Sequence, residues 1–424
     1  MTSKLSEFNR DALVIGFGTL ISQLIPFLIL PFLTRLYSKN DFGILTTYST
    51  IITFFAIIIN AKYESALLLP VDSLKASKIF DLTLFITLLI VIIVTFSVLI
   101  LGWGDFFYDI IPKEYKFIYL LPLISLALGI NSPATVICLR YNFFKHISIN
   151  KIIRSIIISL VSIVIGYNGI NAFGLVLGDV MGQLIAAIYL VTILSKKGLF
   201  NISTYLSLDL SEKKKIAKEY INFPKYSIPS ALSENASSII TMLFLTSGFS
   251  VGVLGAYGFA IRVVLSPSTI IAKSVGDVFK QAASKAFATN GNCTYEYIST
   301  FKKLIVIASL PFPILILFAP WIFKKLFGTE WQQAGEFVQI MTPMFFLQFI
   351  SNPLGSLFII AQKQTLDFVL QLCLTISISI GLYLGVCFFE SIDITLKILT
   401  FIYCIKYLIE LYFSYQFAQN KKGL

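Results

Sequence analysis

Twelve apolar stretches, each close to the length needed to cross a bilayer, follow one another along this chain. They lie near 12–33, 42–61, 79–101, 117–139, 152–168, 171–193, 227–247, 252–272, 303–323, 336–361, 366–388 and 396–417. A hydrocarbon core ~30 Å thick takes about 20 apolar helical residues. Within it only helices and closed barrels satisfy every backbone polar group. Segments of this length predict helices, so the expected fold is an all-α integral membrane protein. Composition agrees: 57% of residues are hydrophobic and 13% charged, against about 25% charged in a soluble domain. The first apolar stretch follows polar residues through Asp11, contains prolines and has no small-residue cleavage site. It reads as a retained helix and not a signal peptide.

Charge orders these spans. Alternate loops collect 24 of the Lys and Arg residues on one side and 7 on the other, with Arg262 and Lys406 left inside spans. The positive-inside bias places both termini and the basic loops in the cytoplasm. Most of the formal +11 is therefore topology and contact with anionic headgroups, not nucleic-acid binding.

One pattern occurs twice. Phe32-Leu33-Thr34, Tyr37-Ser38 and Phe42-Gly43 return 212 residues later as Phe244-Leu245-Thr246, Phe249-Ser250 and Leu254-Gly255. A second echo puts Pro122 and Ser132-Pro133 in span four and Pro343 and Asn352-Pro353 in span ten. Both are six spans apart, which points to two related six-helix lobes. The expected layout is an N-terminal lobe over 1–193, a cytoplasmic linker over 194–226 containing Lys213-Lys214-Lys215, and a C-terminal lobe over 227–424. Both copies of the turn fall on the outward side. The lobes are then related by a pseudo-two-fold axis along the membrane normal, and a pathway between them makes a transporter the first hypothesis. Only the first copy carries Arg35 and Asp41, and the second has no charge.

Charge inside the hydrocarbon is costly and marks candidate sites. Asp179, Glu234, Arg262 and Lys406 fall near mid-span, with uncharged Gln23 at similar depth. Arg262 suits a phosphate anchor, because a guanidinium binds phosphate oxygens in a fork. A structural ion pair with Glu234 or Asp179 is the alternative. Asp179 lies between Gly178 and Gly182, and Glu234 between Pro229 and Asn235. Either acid could carry a coupling ion or hold a structural pair. Lys406 and Glu410 are one helical turn apart, which favours a self-contained pair. Arg140 and Arg154 flank the loop after span four, where interfacial anchoring is the simplest account. Arg35 stands alone on the charge-poor outward side, where it could meet a phosphate leaving the cavity.

Absences narrow the classes. There is no GxxxxGK[ST], so no P-loop ATPase. No HExxH or paired acidic motif sits in a large outward loop. One histidine and five cysteines without a CxxC argue against metal or thiol chemistry, and no cofactor is expected.

The run Gly18 through Gln23, then Pro31-Phe32-Leu33-Thr34-Arg35-Leu36-Tyr37-Ser38 and Asp41-Phe42-Gly43, resembles the opening of bacterial polysaccharide flippases. Tyr63-Glu64-Ser65-Ala66-Leu67-Leu68-Leu69-Pro70 resembles their next signature. These are the Wzx-type O-antigen and capsule-unit translocases of the multidrug/oligosaccharidyl-lipid/polysaccharide (MOP) superfamily. The resemblance implies a MATE/MOP-like, V-shaped pair of lobes around a cation-lined cavity in the bacterial inner membrane. It implies carriage of an undecaprenyl-pyrophosphate-linked oligosaccharide to the periplasmic leaflet, without covalent catalysis. Arg262, Arg35, Gln23 and Arg140 would then face pyrophosphate or glycan. Glu234, Asp179 or Lys406 would serve proton or sodium coupling or structural pairing. The pathway's polymerase and chain-length machinery would be neighbours. The competing readings are an ion-coupled drug or metabolite antiporter on the same fold, a membrane polymerase or transferase, and a non-transporting scaffold.

Overall fold

The computed structural model describes residues 2–103, 113–169, 171–199 and 210–419. Most of the outward loop expected over 102–116 and part of the linker, 200–209, lie outside the described residues. The helices run in order α1 Thr2–Leu36, α2 Lys39–Ile58, α3 Ser73–Trp103, α4 Leu121–Arg140, α5 Phe144–Tyr167 and α6 Phe173–Lys196. A short amphipathic α7, Leu210–Glu219, follows. Then come α8 Ile228–Gly248, α9 Val251–Asn290, α10 Thr294–Ala308, α11 Pro311–Phe327, α12 Gln332–Leu354, α13 Ser356–Ile360, α14 Gln364–Tyr383 and α15 Ile392–Ala418. No strand occurs among the described residues.

Among the described residues, ten spans are long and apolar enough to cross a membrane. The seventh and twelfth expected positions hold α8 and α15, 21 and 27 residues long, each sufficient in length to cross a bilayer. The chain is a multi-pass membrane protein. Three boundaries differ from the hydropathy reading. Helix α5 starts at Phe144, not near 152, because buried Ser148 and Asn150 are satisfied by protein carbonyls. Helix α9 continues through the expected polar loop to Asn290, and its 40 residues extend ~60 Å, well beyond a bilayer. The ninth span is two helices, α10 and α11, broken just before Pro311, whose ring and missing N–H disrupt a continuing helix.

The chain divides into two compact units, Met1–Tyr37 with Thr47–Leu232, and Ser38–Thr46 with Ser233–Leu424. In the first, α5 packs between α1 and α6 through small residues. Ser148, Ser155, Ser159 and Ser162 are buried along its length, and Gly178 and Gly182 of α6 lie against Ser162 and Ile158. Tyr37 at the end of α1 donates its hydroxyl to the Ser162 carbonyl at 2.6 Å. Behind them, Asn60 donates to Thr87 Oγ1 and the Gly129 carbonyl, both at 2.8 Å, tying α3 to α4. Helix α7 lies on the end of α3. Ile216 is buried with Tyr63, Ile79 and Leu190, and Lys75 and Lys78 pair with Glu219 (2.5 Å) and Glu212 (3.1 Å).

The second unit contains the second copy of the repeated turn and, with Ser38–Thr46, the latter half of the first, and these pack reciprocally. A Cβ on Gly43 would meet the Val251 carbonyl, and a Cβ on Gly255 would meet the Lys39 carbonyl. Shifted by 212 residues, Gly43 becomes Gly255 and Lys39 becomes Val251, so the two contacts are one contact made twice. Asn40 faces its own counterpart Gly252, and Thr46 faces Gly258. Both turns are N-capped by the equivalent serine. Ser250 Oγ accepts from Val253 N at 3.2 Å. Ser38 Oγ accepts from Asp41 N at 3.3 Å, and Asp41 Oδ2 accepts from Ser38 N at 2.8 Å. That reciprocal pair is a capping box, which accounts for the carboxylate present in only one copy. Phe42 completes the crossing, edge-on to Phe259 and Trp331 with centroids 5.3 and 4.9 Å away. Helix α12 runs through this unit with Phe337, Met341, Phe345 and Phe349 buried.

Candidate functional site

The seam between α1 and α5 is built by a proline. Pro26 has no N–H, so the Ser22 carbonyl four residues earlier loses its helical donor. Ser155 of α5 supplies one instead, its hydroxyl donating to Ser22 O. One turn nearer the start of both helices, Lys151 Nζ donates to Thr19 Oγ1 at 2.9 Å, and Ser148 Oγ donates to the Val14 carbonyl at 2.8 Å. These contacts bring Gln23 and Arg154, neighbours of Ser22 and Ser155, to the same depth. Both are exposed. Arg154 lies ten residues into a 24-residue helix, ~15 Å from its start and near the helix middle.

Arg154 therefore sits within α5 and not at a helix end, where its place beside an apparent loop had assigned it. The earlier start of α5 carries it into the span. Among the described residues its guanidinium has no ion-pair or hydrogen-bond partner. With Lys151 one turn away on the same helix, it gives this unit two cations and an amide at mid-depth. The usable signal was the seven-residue serine spacing, Ser148, Ser155 and Ser162, which marks a packed helix face reaching back before residue 152.

The other candidates separate. Arg35 ends α1, exposed. Asp179 is half-buried on α6 beside the hydroxyl of Tyr48 on α2. Arg140 is taken up by backbone: its Nη1 donates to the Leu67 carbonyl (3.1 Å) and its Nη2 to those of Val71 (3.2 Å) and Asp72 (3.4 Å). It thus holds the loop carrying the second family signature. In that loop Glu64 Oε2 is buried without a hydrogen-bond partner among the described residues, and burial pushes the carboxyl above its ordinary range.

In the second unit, Arg262 is exposed on α9, eleven residues beyond its start and ~16 Å deep. Glu234 is exposed on α8, and its backbone carbonyl accepts from Gln371 Nε2 at 3.4 Å. Lys406 and Glu410 form the i,i+4 pair their spacing predicts, at 2.6 Å. Ser351 Oγ completes it by donating to Glu410 Oε2 at 2.9 Å. With both partners largely buried and satisfied, this pair holds α15 to α12.

The comparisons extend this picture. No curated protein matches the chain by sequence. Solved structures match it along nearly its whole length. The lipid II flippase MurJ, in an inward closed conformation, gives a TM-score of 0.72 at 14% identity, over 96% of this chain and 87% of that one. An inward-facing multidrug resistance MATE family transporter of the MOP superfamily gives 0.68 at 10% identity, over 96% and 100%. A MOP superfamily transporter from Pyrococcus furiosus gives 0.59 at 11% identity, over 97% and 96%. At these identities the likeness is one of fold. Residues 32–336 match the family described as polysaccharide biosynthesis protein. With that match covering most of the chain, including both copies of the repeated turn, this protein belongs to the polysaccharide biosynthesis protein family and has the MOP superfamily fold.

Proposed function

We propose that this protein is a flippase that moves an undecaprenyl-pyrophosphate-linked oligosaccharide, an O-antigen or capsule unit, from the cytoplasmic to the periplasmic leaflet of a bacterial inner membrane. The observation that carries the reading is Arg154, an exposed mid-span guanidinium without a partner among the described residues. A buried or membrane-depth cation is retained at a cost, and a doubly charged pyrophosphate offsets it through forked hydrogen bonds. Lys151 and Gln23 of the same unit are further contacts for phosphate or sugar, and Arg262 of the second unit is a separate candidate anchor. Arg35 lies at the outward end of α1 for release. Transport by alternating access needs no covalent step. Asp179 beside Tyr48, or exposed Glu234, is the group through which a proton or sodium gradient would act. Both termini are cytoplasmic in this scheme.

The test is complementation in a host lacking its own flippase but making the lipid-linked unit this protein accepts. Arg154→Ala should abolish surface glycan and leave lipid-linked units in the inner leaflet, while Arg154→Lys retains part. Arg262→Ala and Arg262→Lys should behave likewise. Full activity of Arg154→Ala, with protein levels matched, would remove the anchor from this position. Export of a drug or metabolite cation by protein that moves no glycan would favour the antiporter reading.

A further inference from the structure

At one end of the first unit, the loop from the 3-10 helix Tyr63–Leu68 to α3 and the C-terminus of α4 enclose an open groove of about 580 Å³. Its walls include Leu68, Leu69, Val71 and Leu139, which are 48%, 61%, 100% and 40% exposed. Four large apolar side chains around one groove are not accounted for by contact with water. At its floor is Arg140. A guanidinium has five N–H donors, and three are occupied by the carbonyls of Leu67, Val71 and Asp72. Nε–H and one Nη1–H are left without an acceptor among the described residues, and with both Nη2 hydrogens taken they point from different edges of the plane. The groove lies where α2 ends, α3 begins and α4 ends, which is the depth of lipid headgroups.

We infer that this groove is a phospholipid site, with the phosphate diester of one glycerophospholipid on one remaining N–H of Arg140 and its acyl chains along Leu69, Val71 and Leu139. A charge-assisted hydrogen bond from the guanidinium holds a phosphate oxygen, and the apolar walls select an anion that brings a tail. Because the same guanidinium pins the loop, a bound lipid would fix Leu67 through Asp72 and with them the signature segment. The inference is independent of what the protein transports.

The test uses the full-length protein, delipidated in detergent, with native mass spectrometry of adducts. Dioleoylphosphatidylglycerol is the probe, and dioleoylglycerol, inorganic phosphate and undecaprenyl phosphate are the comparisons. Dioleoylphosphatidylglycerol should add one tightly held molecule, and dioleoylglycerol and inorganic phosphate should not. Arg140→Gln should weaken that adduct at least tenfold. Since Arg140 also supports the loop, Leu69→Ser with Val71→Ser provides the second arm. Both side chains are exposed, so the fold is kept, and the adduct should weaken about tenfold for the lost apolar contact. Equal binding of inorganic phosphate would show a soluble-anion site and overturn the inference. Retention only of undecaprenyl phosphate would assign the groove to the transport substrate and overturn it too. Undiminished phosphatidylglycerol binding by both variants would place the lipid elsewhere.

Discussion

Gly43 and Gly255 allow the strongest quantitative test of the duplicated fold. An alanine at 43 would put its Cβ on the Val251 carbonyl, 2.8 Å from the carbonyl carbon. An alanine at 255 would do the same to Lys39, 2.9 Å from its carbonyl carbon and 2.7 Å from Gly43 N. Real Cβ atoms essentially never come within 3.0 Å. The obstacle is backbone, which cannot rotate away, so the helices must separate by about 1 Å. Overpacking of this kind costs ~1–3 kcal/mol. Separation also weakens Phe42 against Phe259 and Trp331, edge-to-face pairs worth ~0.5–1.5 kcal/mol each. Each single variant should therefore lose about 3 kcal/mol. The symmetry makes a sharper statement possible. One widening of the crossing relieves both clashes, so the double variant should cost little more than the worse single one. Unfolding in mixed micelles, followed by tryptophan fluorescence, measures all three. Gly16→Ala, with nothing within 4 Å of the added atom, is the control and should be neutral or slightly stabilising. Additive losses near 6 kcal/mol, or singles indistinguishable from the control, would refute the shared crossing.

Other consequences follow from the packing and charges. Burial holds the Glu64 carboxyl above its ordinary range, so the folded state binds its proton more tightly than the unfolded chain does. Its penalty is absent below the ordinary carboxylate pKa and complete above the raised one. Glu64→Gln should stabilise the protein at neutral pH, and unfolding midpoints compared across pH should show the gain vanish on acidification. Lys406→Met leaves Glu410 largely buried and charged without its partner, at a cost of ~3–5 kcal/mol. Adding Glu410→Met should recover most of that in the same unfolding assay. Where α7 lies on α3, replacing Lys75 and Lys78 of α3 by Met should change stability by under ~1 kcal/mol per pair, because these pairs are exposed. Ile216→Ala should cost ~2 kcal/mol or more because Ile216 is core.

Most spans could be read from hydropathy because the hydrocarbon length is a fixed ruler. The errors fall where protein packing replaces lipid as the helix's surroundings. The first turns of α5 contain Lys145, Ser148, Asn150 and Lys151, which break an apolar window. Yet Ser148 and Asn150 are satisfied by carbonyls of α1 and α6, contacts no window can register. That error concealed Arg154, since a residue assigned to a helix end reads as an interfacial anchor. Arg140 misled for the converse reason. A cation at a helix C-terminus is ordinary, and only the folded loop shows its guanidinium gripping three carbonyls.

By itself the sequence determined a helical membrane protein with an internal duplication, because span length, backbone satisfaction and an exact repeat spacing are properties of a linear chain. It also determined the Lys406–Glu410 pair, which is local to one helix. Tertiary structure alone decided which copy contacts which. Gly43 on Val251 and Gly255 on Lys39 are contacts between residues more than 200 positions apart, and only the packed backbone brings them together. It likewise decided which cations remain available. Arg140 and Arg154 are the same residue type fourteen positions apart, but one is held by carbonyls and the other stands at mid-span without a partner among the described residues. A guanidinium's chemistry is set by which acceptors reach it, and those acceptors lie on other helices.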